Sequence, residues 1–267
     1  MGKYLEYFKI GFRKSVEYKS YLLSVFLTPV FMGVFFYFVW SYIYEVKGAG
    51  DPNYMIGGFT FTEMLVYLII GLLINVARSS EISQRVSETI KSGDISTYLC
   101  RPVNFVKSLL ADSMGTKVIY LFSFLVLLSL MTYLVGLPYP SGTLLLLFVI
   151  YAIMFLIFDI IIYAIIGGLS FWFTEIWGIR NAIEQIWWIL SGRILPLSLF
   201  PLWFVGIIKF TPFYYLEYTL ASAYLGKLSI VEVLKALGIF GLWIVIFALI
   251  MILIYRKGFK KMEALGG

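Results

Sequence analysis

The stretch EISQRVSETIKSGDISTYLCRPVN, residues 81–104, is a polar island in an otherwise apolar chain. It is the centre of a longer polar segment, residues 78–112, that lies between two long apolar segments. No other connection between apolar segments is as long and as charged. A membrane protein with one such segment usually exposes it to water, so function is expected there.

The composition is that of an integral membrane protein. Of the 267 residues, 61% are hydrophobic and 13% are charged, whereas soluble domains are about 25% charged. The mean hydropathy is +0.92. The chain has no histidine, the commonest general base and metal ligand, and its single cysteine, Cys100, allows no disulfide within the chain. We predict neither a catalytic residue nor a metal site.

The apolar segments predict an all-α polytopic membrane protein that forms a single transmembrane domain over residues 1–267. A membrane-spanning helix needs about 20 apolar residues. Six segments meet this requirement: residues 21–44, 61–77, 113–136, 143–172, 182–207 and 230–255.

Residues 1–20 precede the first span and have a different pattern. Leu5, Phe8, Phe12 and Val16 recur at helical spacing, with charged residues on the other side. This pattern predicts an amphipathic helix that lies in the membrane interface.

The basic residues set the orientation. With a cytosolic N-terminus, the inner segments contain 16 of the 21 Lys and Arg residues, including four in the C-terminal tail. This bias predicts a multi-pass plasma-membrane protein with both termini and residues 78–112 in the cytosol. It also accounts for the net charge of +6 without a nucleic-acid partner.

The fifth apolar segment is irregular. Arg193 and the prolines Pro196, Pro201 and Pro212 are not expected in one straight lipid-exposed helix. We therefore predict that the fifth span ends near Leu195. A re-entrant or surface-lying hairpin, residues 197–226, would follow on the outer side. A seventh span is the alternative, but it would place the basic tail outside.

The polar island itself predicts a short helix with one apolar side. Ile82, Val86 and Ile90 recur every fourth residue, and Glu81 and Arg85 form a favourable i,i+4 pair. The alternative is a solvated connection without a role.

The following residues predict how this helix ends. Gly93 is a suitable helix stop, Asp94 can cap a second short turn, and Arg101-Pro102 ends that turn. Asn104 would then cap the long helix of the third span.

Two motifs resemble those of permease subunits in the ATP-binding-cassette (ABC) type-2 exporter family. One is Glu81-x3-Arg85 followed by Gly93-Asp94-Ile95-Ser96-x2-Leu99-x-Arg101-Pro102-Val103. The other is Ser191-Gly192-Arg193-x2-Pro196, continued by Phe200-Pro201 and Thr211-Pro212-Phe213. With the interfacial helix and the six spans, the resemblance covers nearly the whole chain.

The resemblance implies a permease that forms the translocation pathway of an ATP-driven exporter. It implies a dimer with a second permease subunit, of the same or a related chain, in the lipid bilayer. It also implies an ABC ATPase partner that binds ATP and magnesium and contacts a cytosolic coupling helix. The ATPase-coupling residues would be Glu81, Ile82, Arg85, Val86, Glu88, Ile90, Gly93, Asp94, Arg101 and Pro102.

Two charged residues within apolar segments are candidates for the translocation pathway. Asp159 lies near the middle of the fourth span, where a carboxylate is costly and usually functional. The alternative is a neutral or hydrogen-bonded structural acid. Arg193 is the second candidate, and Glu217 could pair with it.

Other classes of function fit the sequence less well. The chain has no phosphate-binding loop of the G-x-x-x-x-G-K-[ST] type, so it is not predicted to be an ATPase or another enzyme. One carboxylate in mid-span does not support an intramembrane aspartate protease. A nucleotide-independent channel or secondary carrier is the remaining alternative, although a carrier with inverted repeats would show a broken helix in each half.

Overall fold

The computed structural model of the chain describes residues 2–17, 19–49, 51–99, 103–137 and 139–265. The described residues form eleven α-helices and three 3-10 turns, the latter at Leu169–Phe171, Leu197–Leu199 and Pro212–Tyr215. The α-helices are α1 (Gly2–Glu17), α2 (Lys19–Gly48), α3 (Phe61–Val76), α4 (Ser80–Lys91), α5 (Ile95–Leu99), α6 (Phe105–Val135), α7 (Gly142–Gly168), α8 (Trp177–Leu190), α9 (Leu202–Ile208), α10 (Glu217–Tyr224) and α11 (Ile230–Leu265). The predicted all-α class is confirmed.

Five segments of the described chain are long and apolar enough to cross a membrane. They are Leu27–Gly48, Phe61–Lys91, Phe105–Val135, Gly142–Phe171 and Ile230–Met262. The second combines α3 and α4, which are separated by residues 77–79. Because the predicted fifth segment is not among them, the count of six spans is not confirmed.

The fifth segment is interrupted where its sequence is irregular. Helix α8 ends at Leu190, before the predicted end near Leu195. Its 14 residues are about 21 Å long, which is too short to cross the hydrocarbon layer of about 30 Å. Gly192 has φ +75°, a conformation that glycine adopts without strain. Beyond it, Pro196 and Pro201 cannot continue a helix.

The chain then folds back on itself. The predicted hairpin contains α9, α10 and two of the 3-10 turns. The N–H of Tyr218 donates a 3.0 Å hydrogen bond to the carbonyl oxygen of Ser191. Helix α10 therefore starts beside the end of α8.

Packing defines two ends of the helix bundle. At one end, called the α4 end below, the Lys261 Nζ donates to the carbonyl oxygen of Phe171 at 3.0 Å, and Phe105 packs on Tyr255. At the opposite end, Lys227 pairs with Glu63 at 2.7 Å. Glu63 also completes the capping box of α3.

Helix α1 packs closely on α6. A Cβ added at Gly11 would collide with the carbonyl oxygen of Asp112, and one added at Gly115 would collide with that of Phe8. Two helices approach this closely only where small residues face each other. The apolar residues Leu5 and Phe12 of α1 remain exposed, as expected for a helix whose apolar side contacts lipid.

Candidate functional site

Helix α4 ends as the sequence predicts. It runs from Ser80 to Lys91, and Gly93 follows with φ +78°. The Asp94 carbonyl oxygen accepts a 3.0 Å hydrogen bond from the N–H of Thr97 in the next short helix, α5. Asn104 caps α6 by accepting a 3.1 Å hydrogen bond from the N–H of Lys107. Cys100 and the predicted site residues Arg101 and Pro102 lie outside the described residues.

The apolar side of α4 packs within its own chain. Ile82, Val86 and Ile90 are buried in one cluster with residues of α7, including Ile160. A Cβ at Gly167 of α7 would lie 2.7 Å from the Val86 Cβ, so this position requires glycine. These three predicted coupling residues therefore form an internal contact and do not present a surface to a partner.

The predicted Glu81–Arg85 pair is wrong, because both residues have other partners. Arg85 forms an ion pair and a short hydrogen bond with Asp112 of α6. Asp112 also pairs with Lys14 of α1 at 3.4 Å. Glu81 lies 3.9 Å from the buried Lys117 of α6. Partners from other helices replace the local pair, and Asp112 joins α1, α4 and α6.

Lys117 fixes the joint between α3 and α4, residues 77–79. Its Nζ donates a 2.5 Å hydrogen bond to the carbonyl oxygen of Ala77, the C-cap residue of α3. The Lys117 side chain is 4% exposed. An ammonium group buried this deeply requires such partners, so α6 and the α3–α4 joint are held together.

Asp159 is buried beside this joint. The cations that act on its carboxylate are Lys117 and Arg78, and Ser79 is adjacent to it. Neither carboxylate oxygen has a hydrogen bond within 3.5 Å or an ion pair within 4.0 Å in the described part of the chain. The Arg78 guanidinium stacks 4.4 Å from the ring centre of Trp187. Lys117 and Arg78 are thus described cations whose charges act on Asp159 without a direct ion pair.

Arg193 and Glu217 are buried where the chain folds back after α8. The Arg193 guanidinium lies 4.5 Å from the ring centre of Trp188, and Glu217 accepts a hydrogen bond from the Ser191 Oγ. None of the ion pairs within 4.0 Å among the described residues joins Arg193 to Glu217. The possible pairing of Arg193 with Glu217 is therefore not seen, although both side chains are buried in this region.

The outer side of α4 is polar and exposed. It carries Glu81, Gln84, Glu88 and Lys91. Glu88 accepts a 3.0 Å hydrogen bond from the Gln84 side chain. Lys91 pairs with Glu175, which lies between α7 and α8, at 2.9 Å. A partner that binds α4 can reach these groups, whereas the apolar side is closed to it.

Sequence reasoning missed Asp112, Lys117 and Arg78 as site residues. All three are buried charges close to the ends of apolar segments, where a charged residue fits the positive-inside bias or a polar loop equally well. Their position within a turn or two of a span was the available signal. Within the described residues, no group of three or more His, Cys, Asp and Glu side chains could hold a metal ion.

Comparison with known proteins identifies the family. The model of the ABC-2 family transporter protein matches residues 30–266. Of the described helices, only α1 and the start of α2 lie outside the match. A comparison with curated proteins finds no match to this chain. Because the family model covers most of the sequence, including the whole α4 region and the interrupted fifth segment, the chain belongs to the ABC-2 transporter family, whose members are membrane permease subunits of ABC transporters.

Proposed function

We propose that this chain is the permease subunit of an ATP-driven exporter and that α4 is its coupling helix. Family membership implies an ABC ATPase partner. In this proposal the α4 end faces the cytosol, together with both termini, and α1 lies in the membrane interface. The partner binds ATP and magnesium, since this chain has no phosphate-binding loop.

The observation that carries the proposal is the set of contacts around α4. Arg85 binds Asp112 of α6, Val86 packs against Gly167 of α7, and Lys117 holds the backbone at Ala77. A displacement of α4 would therefore move α6 and α7 with it. Transport coupling requires such a connection between the site that binds a partner and the element that changes state.

The partner-binding surface in this proposal is the polar side of α4. Glu81, Gln84, Glu88 and Lys91 are exposed there. Asp94, which follows the helix, is exposed as well. Charged and polar groups at the edge of an interface set its specificity and rate of association.

A second permease subunit would complete the pathway. Many large apolar side chains of α2 and α11 are exposed, for example Phe31, Phe38, Leu242 and Leu249. Such surfaces fit contact with lipid or with another membrane subunit. In this proposal, residues 197–226 form the outer hairpin between the fifth and sixth crossings, and Asp159 and Arg193 contribute to the pathway.

Co-purification with the ATPase tests the coupling role. Glu88→Lys reverses a charge on the exposed side of α4 without touching its buried contacts. We expect it to weaken ATPase binding roughly tenfold, which corresponds to the loss of about 1.4 kcal/mol. The matched control is Glu45→Lys, an exposed acid on α2, which should leave ATPase binding unchanged.

Two outcomes would contradict the proposal. The first is equal ATPase binding by the wild-type chain and Glu88→Lys, because α4 would then not be the docking element. The second is solute flux through the purified chain alone, without nucleotide, because the chain would then act as a channel or carrier.

A further inference from the structure

A basic groove lies at the α4 end, between the start of α6 and the last turns of α11. Its volume is about 640 Å³, within the range of roughly 300–1,000 Å³ that is typical of ligand sites. One wall carries Arg256, Lys257 and Lys260 of α11, and the other is formed by Asn104 and its neighbours. Neither the proposed coupling contacts nor the proposed pathway uses these residues.

The three cations of this groove share one side of α11. Arg256 and Lys260 are four residues apart and Lys257 and Lys260 are three apart, so their side chains project together. All three are exposed. None of the ion pairs among the side chains that the structure describes involves these three cations. Lys261, four residues after Lys257, is already bound to the carbonyl oxygen of Phe171.

Below the cations the groove is apolar. Phe105 and Phe259 line it, with ring centres 6.5 Å apart in an edge-to-face arrangement. Phe105 also packs against Tyr255 at 6.0 Å. The groove therefore offers positive charge at its rim and aromatic rings beneath.

The position of the groove defines the depth at which a ligand would bind. Arg256, Lys257 and Lys260 lie in the last turns of the apolar segment Ile230–Met262, and α6 begins at Phe105 on the other side. This is the level of the lipid headgroups, since the apolar parts of both helices fill the hydrocarbon layer. The positive end of the α6 helix dipole points to the same place.

We infer that this groove binds the phosphate headgroup of an anionic phospholipid. The three cations would bind the phosphate, and the glycerol and upper acyl chain would contact the two phenylalanine rings. Basic pockets between helices at the membrane surface recognise such headgroups. The inference needs only the membrane setting of the chain and is independent of the ATPase-coupling role.

Native mass spectrometry of the purified full-length chain tests the inference. The chain would be titrated in neutral detergent with phosphatidylglycerol and, separately, with phosphatidylcholine. We expect one phosphatidylglycerol molecule to bind in preference to phosphatidylcholine. The triple variant R256Q/K257Q/K260Q should weaken this binding roughly 100-fold, because each cation near a membrane surface contributes about fivefold. All three positions are exposed, so the variant should fold normally, and gel filtration would check this.

Matched variants separate a specific site from general positive charge. K3Q/K9Q/R13Q removes the same charge from exposed positions of α1 at the same end and should retain the bound lipid. The charge-preserving variant R256K/K257R/K260R should also retain it.

Three results would overturn the inference. Equal loss of lipid in the α1 and groove triple variants would mean a diffuse surface effect. Displacement of the lipid by inorganic phosphate would mean a site for soluble anions. Unchanged lipid binding by R256Q/K257Q/K260Q, together with lost ATPase binding, would mean a protein-docking surface.

Discussion

Lys117 and Ala77 are joined by a 2.5 Å hydrogen bond between the lysine Nζ and the alanine carbonyl oxygen. The bond connects the middle of one long helix to the point where the chain leaves α3 and enters α4. A charged donor buried at such a joint has few alternative partners, and here the second is Glu81 at 3.9 Å. Position 117 therefore connects α6 to the joint between α3 and α4.

Lys117→Met should uncouple ATP hydrolysis from transport. The methionine fills the same space but leaves the Ala77 carbonyl group without its donor. This should destabilise the joint by about 1.5–3 kcal/mol, the usual contribution of a hydrogen bond to a charged group. Transport per ATP hydrolysed, measured in proteoliposomes with the ATPase, should fall. The exposed control Lys107→Met should have no effect, and an unchanged ratio in Lys117→Met would refute a coupling role for Lys117.

A double-mutant cycle should show that Arg85 and Asp112 interact. Arg85→Ala, Asp112→Ala and the double variant should give a coupling energy of about 1 kcal/mol in thermal or denaturant unfolding. Burial of Asp112 favours a strong interaction. The half-exposed Arg85 limits the coupling energy, because water screens its charge. The pair Lys91–Glu175, whose side chains are 40% and 80% exposed, is the control and should give about 0.3 kcal/mol. Equal coupling energies in the two cycles would contradict the structural role assigned to Asp112.

Gly167→Ala should displace α4. The added methyl group would meet the Val86 Cβ at 2.7 Å, and overpacking of this kind costs about 1–3 kcal/mol. We expect a lower Tm and weaker ATPase binding, because the α4 surface would move. Gly33→Ala, where a Cβ meets nothing within 4 Å, should be neutral or slightly stabilising. Normal ATPase binding by a folded Gly167→Ala variant would show that the α4–α7 contact does not position the docking surface.

Asp159→Asn should impair transport while the protein is expressed at its normal level. The substitution removes the buried carboxylate on which the charges of Arg78 and Lys117 act. Removal of a buried charge that stabilises nearby cations should destabilise the conformation described here by roughly 1–3 kcal/mol. Vesicle transport assays would detect this loss as lower flux. Flux equal to that of the wild-type chain would leave Asp159 with a structural role only.

Residues 78–112 show which structural features can be predicted from a single sequence. Gly93 as helix stop and Asn104 as helix cap were predicted because both depend on local backbone chemistry. The partners of Glu81 and Arg85 were not, because they come from α6, and the distance between helices is not encoded in local spacing. The apolar side of α4 was recognised, but its contact with Gly167 required the fold.

The fifth apolar segment shows what hydropathy alone does not predict. Its prolines and Gly192 predicted an irregular backbone, and the break in the structure occurs there. The end of α8 at Leu190 was missed, because apolar residues continue beyond it and hydropathy alone favours a longer helix. The path of the chain after α8 depends on long-range contacts such as the hydrogen bond between Ser191 and Tyr218. Hydropathy does not predict such contacts.

Ile82, Val86 and Ile90 are already buried within their own chain. Few apolar side chains of α4 therefore remain for recognition of the proposed ATPase subunit. Association of the permease with the ATPase should then depend on ionic strength. Concentrated salt should weaken the complex while the helices of the permease stay folded. A few reversals of charge on the exposed side of α4 would then be enough for related transporters in one cell to bind different ATPase subunits.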